Sequence, residues 1–243
     1  MYFFYEDENV EDKLMKIKED YDTLLSELEY DATISERAFG GYLRSNKGEL
    51  VEHIARELIQ IAWIDVLKQD KERLSINKKK MPVYLTNKYG FIDRIKSKDV
   101  QNWMGKNKDT QIYKFGTDVQ VFIDGKLVLP IECKAYTENA MIKRILVDAS
   151  LMKKTAGCNK YFLLQLESQL GGDYSELNDV TYGSPSTNAL LSHFDVELEI
   201  ITLLKGERKV NEPIHVPEFF KELDIVQLEK ALNIFVEELK KFI

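Results

Sequence analysis

Three residues in one short stretch have the types and the spacing that hydrolytic chemistry needs. Asp118 opens an alternating run, and Glu132 and Lys134 stand in a second run with one residue between them. Alternate side chains of a β-strand share a face, so Glu132 and Lys134 project together and Cys133 points to the other side. A tight turn between the two runs would bring Asp118 beside them. The pattern therefore predicts one cluster of two carboxylates and a lysine.

Such a cluster suits a hard divalent cation. Asp118 and Glu132 offer carboxylate oxygens, the backbone of Cys133 offers a carbonyl oxygen, and Mg²⁺ commonly completes its shell with waters and a substrate phosphate. A bound metal lowers the pKa of its water and stabilises charge on phosphoryl oxygens, and Lys134 can position or help deprotonate that water. We therefore predict Mg²⁺-dependent hydrolysis of a phosphodiester.

The elements that must position this cluster can be read from the hydrophobic pattern. Residues 117–124 alternate and carry Val and Phe, which favours a strand. Asp124 and Gly125 form a hairpin turn signal, and residues 126–134 read as the partner strand. Pro130 inside that strand indicates a bulge or a sheet edge. We expect an antiparallel hairpin.

The remaining pattern predicts a mixed α/β fold, with a mixed β-sheet flanked by helices. Ser45 and Asn46 are the expected caps of the second helix. We expect a single domain over residues 1–243, with an N-terminal helical region to about residue 68 and a core at about 110–205. The predicted helices span 8–30, 47–68, 97–107, 138–156 and 223–242, and the further strands span 160–168 and 195–204, with a loop-rich segment at 171–188.

Charge is unevenly distributed along the chain. The net charge is −7, but residues 68–114 hold 13 Lys/Arg and 5 Asp/Glu, a local +8. A basic segment in an acidic chain is a candidate phosphate-binding surface. Within it, Lys78, Lys79 and Lys80 lie near Tyr84 and Tyr89, and we expect these lysines to contact DNA phosphates. The alternative is a solvated, lysine-rich surface.

Composition excludes several classes of protein. Two cysteines and three histidines provide neither a disulfide framework nor a structural zinc set. The acidic N-terminus lacks the order of a signal peptide, and no apolar run approaches the ~18 residues of a membrane span. We expect a cytoplasmic protein with no membrane partner.

The cluster resembles the motif of the PD-(D/E)xK nuclease superfamily. Thr117-Asp118 stands where that superfamily often has Pro-Asp, and Glu132-Cys133-Lys134 fits without change. Asp224, Glu238 and Lys240 repeat the spacing, but on a helical pattern, where Glu238 and Lys240 would diverge by about 200°. The resemblance implies a restriction-endonuclease-like core, and a carboxylate on a preceding helix, Glu52, as an additional catalytic residue. The alternative for Glu52 is a surface pair with Arg56.

A narrower resemblance covers residues 115–168. The run from Ile131 to Glu138, with Tyr136, is similar to type II restriction endonucleases of the BbvCI group. This implies sequence-specific cleavage of double-stranded DNA, and cutting both strands of a near-palindromic site implies a homodimer. Asn188, in a polar segment, is expected to read base edges. The alternatives are another PD-(D/E)xK nuclease, for repair, nicking or junction resolution, and a non-catalytic DNA-binding module.

Overall fold

The fold is built from six α-helices and seven β-strands in the part of the chain that the structure describes. This computed structural model describes residues 7–32, 39–172, 184–212, 214 and 216–243. The elements are α1 Glu8–Ala32, α2 Phe39–Gln60, β1 Leu74–Asn77, β2 Met81–Tyr84, α3 Lys98–Lys106, β3 Ile112–Phe115, β4 Val119–Ile123, β5 Lys126–Glu138, α4 Asn139–Ala156, β6 Lys160–Gln169, α5 Pro185–Ser192, β7 Glu197–Thr202 and α6 Ile225–Leu239, with a π-helical turn at Ile61–Val66.

Five strands form a mixed sheet in the order β1-β4-β5-β6-β7. The pairs β1–β4 and β4–β5 are antiparallel, whereas β5–β6 and β6–β7 are parallel. Neighbouring residues of β6 enter opposite cores, as strand alternation requires: Phe162 packs with α1, α2 and α6, and Leu163 packs with α4. The predicted mixed sheet flanked by helices is confirmed. Strands β2 and β3 form a separate two-stranded sheet.

The predicted hairpin is present and sets the centre of the sheet. Asp124 and Gly125 have φ values of 50° and 78°, the left-handed conformation that a two-residue hairpin turn uses. The pairing shifts between Val121 and Phe122, so that β5 bulges two residues before Pro130. The predicted bulge thus lies two residues from Pro130 rather than at it. The alternative of a sheet edge is wrong, because β5 is the third of five strands.

Two boundaries differ from the sequence predictions. Helix α2 begins at Phe39 and already contains Ser45 and Asn46, so neither residue caps it. Serine and asparagine carry only a modest free-energy cost inside a helix. The segment expected to be a loop around residue 188 contains α5, where the Ser184 side chain caps the helix and Pro185 occupies its first turn. This Ser-Pro start signal is visible in the sequence. Among the described helices, none is long and apolar enough to cross a membrane.

A cluster of buried charges joins four segments of the chain. Glu167 on β6 is fully buried and pairs with Arg208, which is 3% exposed. Lys221 Nζ lies 3.6 Å from Glu167. Lys47 of α2 is also fully buried, with its ammonium 4.3 Å from the centre of the Phe220 ring. Burial lowers the pKa of Lys47 to about 8, although Glu167 opposes this shift. Glu167 is therefore the buried carboxylate that pairs with Arg208 and Lys221 and acts electrostatically on Lys47.

Replacing Glu167 tests this balance. We expect Glu167→Gln to lower the free energy of unfolding by about 3–5 kcal/mol, because Arg208 stays buried without its partner. Glu237→Gln is the matched control, since its pair with Lys240 is exposed and contributes about 0–1 kcal/mol. Urea denaturation measures both changes. Equal losses in the two variants would contradict this account.

Candidate active site

Asp118 is fixed to the neighbouring strand by its own side chain. It lies one residue before β4, and its Oδ2 accepts a hydrogen bond from the backbone N–H of Cys133 at 3.0 Å. Val119, the next residue, pairs with Ile131 on β5. The carboxylate is thereby held beside the centre of β5. It is oriented by the backbone and by the hairpin register.

Glu132 and Lys134 alternate along β5, as the sequence predicted. Their side chains are partly buried, whereas the side chain of Cys133 is buried in the opposite core with α2 and α6. The Lys134 ammonium lies 2.6 Å from Glu132 Oε1 and 3.1 Å from Asp118 Oδ2. It also donates to the carbonyl oxygen of Cys133 at 3.0 Å. Three oxygens from the three residues predicted as ligands thus converge on a single cation.

Burial and charge act in opposite directions at this cluster. Burial raises the pKa of Glu132, and the nearby Lys134 ammonium offsets part of that rise. For Lys134 burial favours the neutral form, but the carboxylates of Glu132 and Asp118 outweigh it and raise the pKa of the ammonium. The arrangement therefore keeps the lysine protonated between the two carboxylates.

A second lysine reaches the cluster from the segment that follows β1. Lys78 Nζ lies 2.9 Å from Glu52 Oε1 and 3.5 Å from Asp118 Oδ1. Glu52 lies on α2, and its other oxygen is 3.7 Å from Arg56. Glu52 therefore forms the helix pair and also reaches the cluster through Lys78, and its catalytic role stays a prediction. The hydrogen bond to Glu52 raises the pKa of Lys78.

The segment that carries Lys78 is tied to β4 by a buried glutamine. Gln120 Oε1 accepts from the backbone N–H of Lys79 at 3.1 Å, and Gln120 Nε2 donates to the Lys79 carbonyl at 2.8 Å. At Gly116 a Cβ would lie only 2.9 Å from that carbonyl oxygen. A glycine at position 116 thus permits the close approach that sets Lys78 beside Asp118.

The other predicted binding residues lie outside the cluster. Lys79 and Lys80 are exposed next to Lys78, and Asn188 is exposed on α5. Sequence reasoning missed the contact of Lys78 with the carboxylates and the role of Gln120. The one available signal was a polar Gln120 between the apolar residues of β4. Among the described residues no group of three or more His, Cys, Asp and Glu side chains is placed to hold a metal ion.

Comparison with known proteins decides the family. The chain is 44% identical over 226 residues to the type II restriction enzyme DdeI of Desulfomicrobium norvegicum, covering 91% of this chain and 93% of that enzyme. The chain belongs to the DdeI family of type II restriction enzymes. This restriction enzyme is also similar to a low-resolution structure of the native BbvCI A2B2 tetramer, with 12% identity, 98% coverage of both chains and a TM-score of 0.38. No protein-family profile matches the chain.

Family membership confirms the predicted function. The restriction enzyme is an endonuclease of a restriction system and binds DNA, as the acidic cluster and the narrower resemblance implied. The individual roles of Asp118, Glu132 and Lys134 stay predictions that rest on geometry.

Substitution of Gly116 tests how Lys78 is positioned. We expect Gly116→Ala to lower the free energy of unfolding by about 1–3 kcal/mol, because the added methyl group displaces the Lys79 backbone. It should also slow DNA cleavage by moving Lys78 away from Asp118. Gly105→Ala on α3 is the control, since nothing lies within 4 Å of its added Cβ and alanine favours a helix by about 0.5–1 kcal/mol. Thermal unfolding and cleavage rates would refute the idea if both variants behaved alike.

Proposed function

We propose that this restriction enzyme hydrolyses phosphodiester bonds of double-stranded DNA with Mg²⁺ as its metal. The supporting observation is the convergence of Asp118 Oδ2, Glu132 Oε1 and the Cys133 carbonyl oxygen on one cation, at 2.6–3.1 Å. Here the cation is the ammonium of Lys134. A surface ion pair would not need a backbone carbonyl pointing at the same position, whereas a metal site would.

The donor set fits Mg²⁺ in its chemistry. All three atoms are hard oxygen donors, and a site with two carboxylates leaves positions for waters and a phosphate oxygen, as Mg²⁺ sites usually do. Asp118, Glu132 and the Cys133 carbonyl would hold the ion. Bound there, Mg²⁺ supplies a water of lowered pKa and stabilises charge on the phosphoryl oxygens.

The chain's own residues perform the remaining tasks. The ammonium of Lys134 cannot share these oxygens with a second cation, because two positive charges at one position repel each other strongly in a partly buried site. We assign Lys134 to donate a hydrogen bond to the attacking water and to orient it. Asp118 keeps its position throughout, since the Cys133 N–H holds its Oδ2.

Lys78 is assigned to the scissile phosphate. Its side chain is 56% exposed and lies on the open side of the cluster, between Glu52 and Asp118. A protonated amine there neutralises charge on a phosphate oxygen as the bond breaks. Glu52 assists by holding Lys78. Lys79 and Lys80 are assigned to phosphates farther along the backbone, where they contribute to affinity. Asn188, exposed on α5, is assigned to base edges.

We also propose that the active form is a homodimer in the cytoplasm. The described residues contain one such cluster, and cutting both strands of a near-palindromic site calls for two clusters related by a twofold axis. The shared hydrophobic cluster of α1, α2, the sheet and α6 supports a single domain in each protomer. Helix α6 turns Leu228, Leu232 and Phe235 into that cluster, so its apolar side is not available to a second protomer.

Digestion of a sequenced plasmid tests the proposed reaction. We expect discrete fragments with Mg²⁺, none with EDTA and none from Glu132→Ala, because that variant loses one oxygen ligand. Glu197→Gln, an exposed carboxylate on β7, is the control and should cut at the same positions. Undigested DNA with folded wild-type protein on several plasmids would refute the proposal.

The role of Lys78 can be distinguished experimentally from the roles of Lys79 and Lys80. We expect Lys78→Met to lower the single-turnover cleavage rate at saturating DNA by about 10²-fold, as removal of a donor to the transition state does. Lys79→Met and Lys80→Met should instead weaken DNA binding, each reducing the slope of log affinity against log salt by about 0.9. If all three variants changed only the affinity for DNA, the assignment of Lys78 to the scissile phosphate would be wrong, and Lys78 would be an ordinary phosphate contact.

A further inference from the structure

Residues 78–115, here called the basic arm, form an insertion that leaves and re-enters the sheet beside the active cluster. The arm contains β2, α3 and β3 and lies between β1 and β4 in the chain. Its two ends are paired, since Met81 faces Phe115 across the small sheet. Gln120 fixes the first end through Lys79, and the second end leads directly to Asp118. Anything bound by the arm therefore lies close to the cluster.

The arm exposes an unusual share of large apolar side chains. Within the described chain eleven such residues are exposed, and seven of them belong to the arm, including every exposed aromatic ring. Their exposed fractions run from 40% to 67%. A scattered exposed side chain needs no explanation, but concentration of such residues in one insertion favours an interaction surface there. The seven are Tyr84, Tyr89, Phe91, Val100, Trp103, Ile112 and Tyr113.

Hydrogen bonds hold the arm in shape. Asn87 Oδ1 accepts from the Ile92 N–H at 2.7 Å and closes the turn after β2. Gln101 on α3 donates to the carbonyl oxygens of Asp93 and Ile95, at 3.0 and 2.8 Å. The rings are thus presented from a fixed frame, which reduces the entropy lost when they bind.

The net positive charge of the basic arm favours a polyanionic partner. It holds ten Lys/Arg and three Asp/Glu, a net charge of +7. Among the described ion pairs, only Lys78 of these ten cations has a carboxylate partner. A second copy of the arm would meet this charge with the same charge, so self-association through this surface is disfavoured. A polyanion with flat apolar faces, which is DNA with exposed bases, matches both properties.

We propose that the basic arm binds DNA by inserting or stacking its aromatic rings at an unstacked base step, in addition to contacting phosphates. This rests on the proposed function, because the DNA at the cluster is the DNA to be cut. Aromatic rings stack favourably on any base, and side chains inserted between base pairs offset the cost of unstacking a step. The arm thus recognises deformability of the duplex next to the cleaved bond.

The test compares two DNA molecules of the same sequence, one a fully paired duplex and one with a short internal unpaired segment. Binding of the full chain is measured in EDTA, so that no cleavage occurs. Wild type should prefer the unpaired molecule by about 10-fold, because its bases are already unstacked. The triple substitution Tyr84→Ser, Tyr89→Ser, Trp103→Ser should abolish the preference and leave the salt dependence of binding unchanged.

Control variants separate the outcomes. Met15→Gln and Val147→Thr remove exposed apolar groups outside the arm and should keep the preference. Lys79→Met should reduce the salt dependence of binding and retain the preference for the unpaired DNA. Equal affinity of wild type for both molecules overturns the proposal, as does a triple variant that alters the oligomeric state in sedimentation but not DNA binding. Circular dichroism confirms that the variants fold. Since no metal or cleavage is involved, failure of the nuclease proposal would be seen separately, as uncut plasmid with the preference intact.

Discussion

The contact of the Lys134 ammonium with three oxygen atoms is the interaction on which the rest of the site depends. Asp118 and Glu132 are brought together in a partly buried place, where like charges repel and desolvation disfavours ionised carboxylates. This free-energy cost is seen in the raised pKa of Glu132, whose largest cause is burial. The Lys134 ammonium between the carboxylates offsets part of it. The cluster therefore keeps its shape before any substrate arrives, since the protein supplies its own positive charge.

Short connections within the sheet bring these residues together. A two-residue turn joins β4 to β5, and one backbone N–H, that of Cys133, fixes the acid of the first strand to the second. Parallel pairing with β6 then encloses β5 on its other edge. Helices cover both faces, and α2 contributes Glu52 through the salt bridge to Lys78. Backbone geometry thus positions the first acid, and packing positions the supporting charges.

The parts that the sequence could predict are those whose determinants are close together in the chain. Alternation and an Asp-Gly turn were enough to place Asp118 beside Glu132 and Lys134. The contact of Lys78 with Asp118 was not predictable, because it depends on a hydrogen bond between Lys79 and Gln120 across 41 residues. Helix α2 was predicted to begin eight residues too late, because Ser45 and Asn46 carry a cap signal in the sequence but lie inside the helix. Helix α5 was missed although its Ser-Pro signal was present.

The closed base of the basic arm has an evolutionary consequence. Because Met81 and Phe115 are paired, the distance between the ends of the insertion is independent of what the insertion contains. Lengthening it would cost little closure entropy, which grows only slowly with loop length. The residues between Met81 and Phe115 can then change in number and type while the central sheet keeps its register. Lys78 precedes the Met81–Phe115 pair, so its place beside Asp118 does not depend on what the insertion carries beyond that pair.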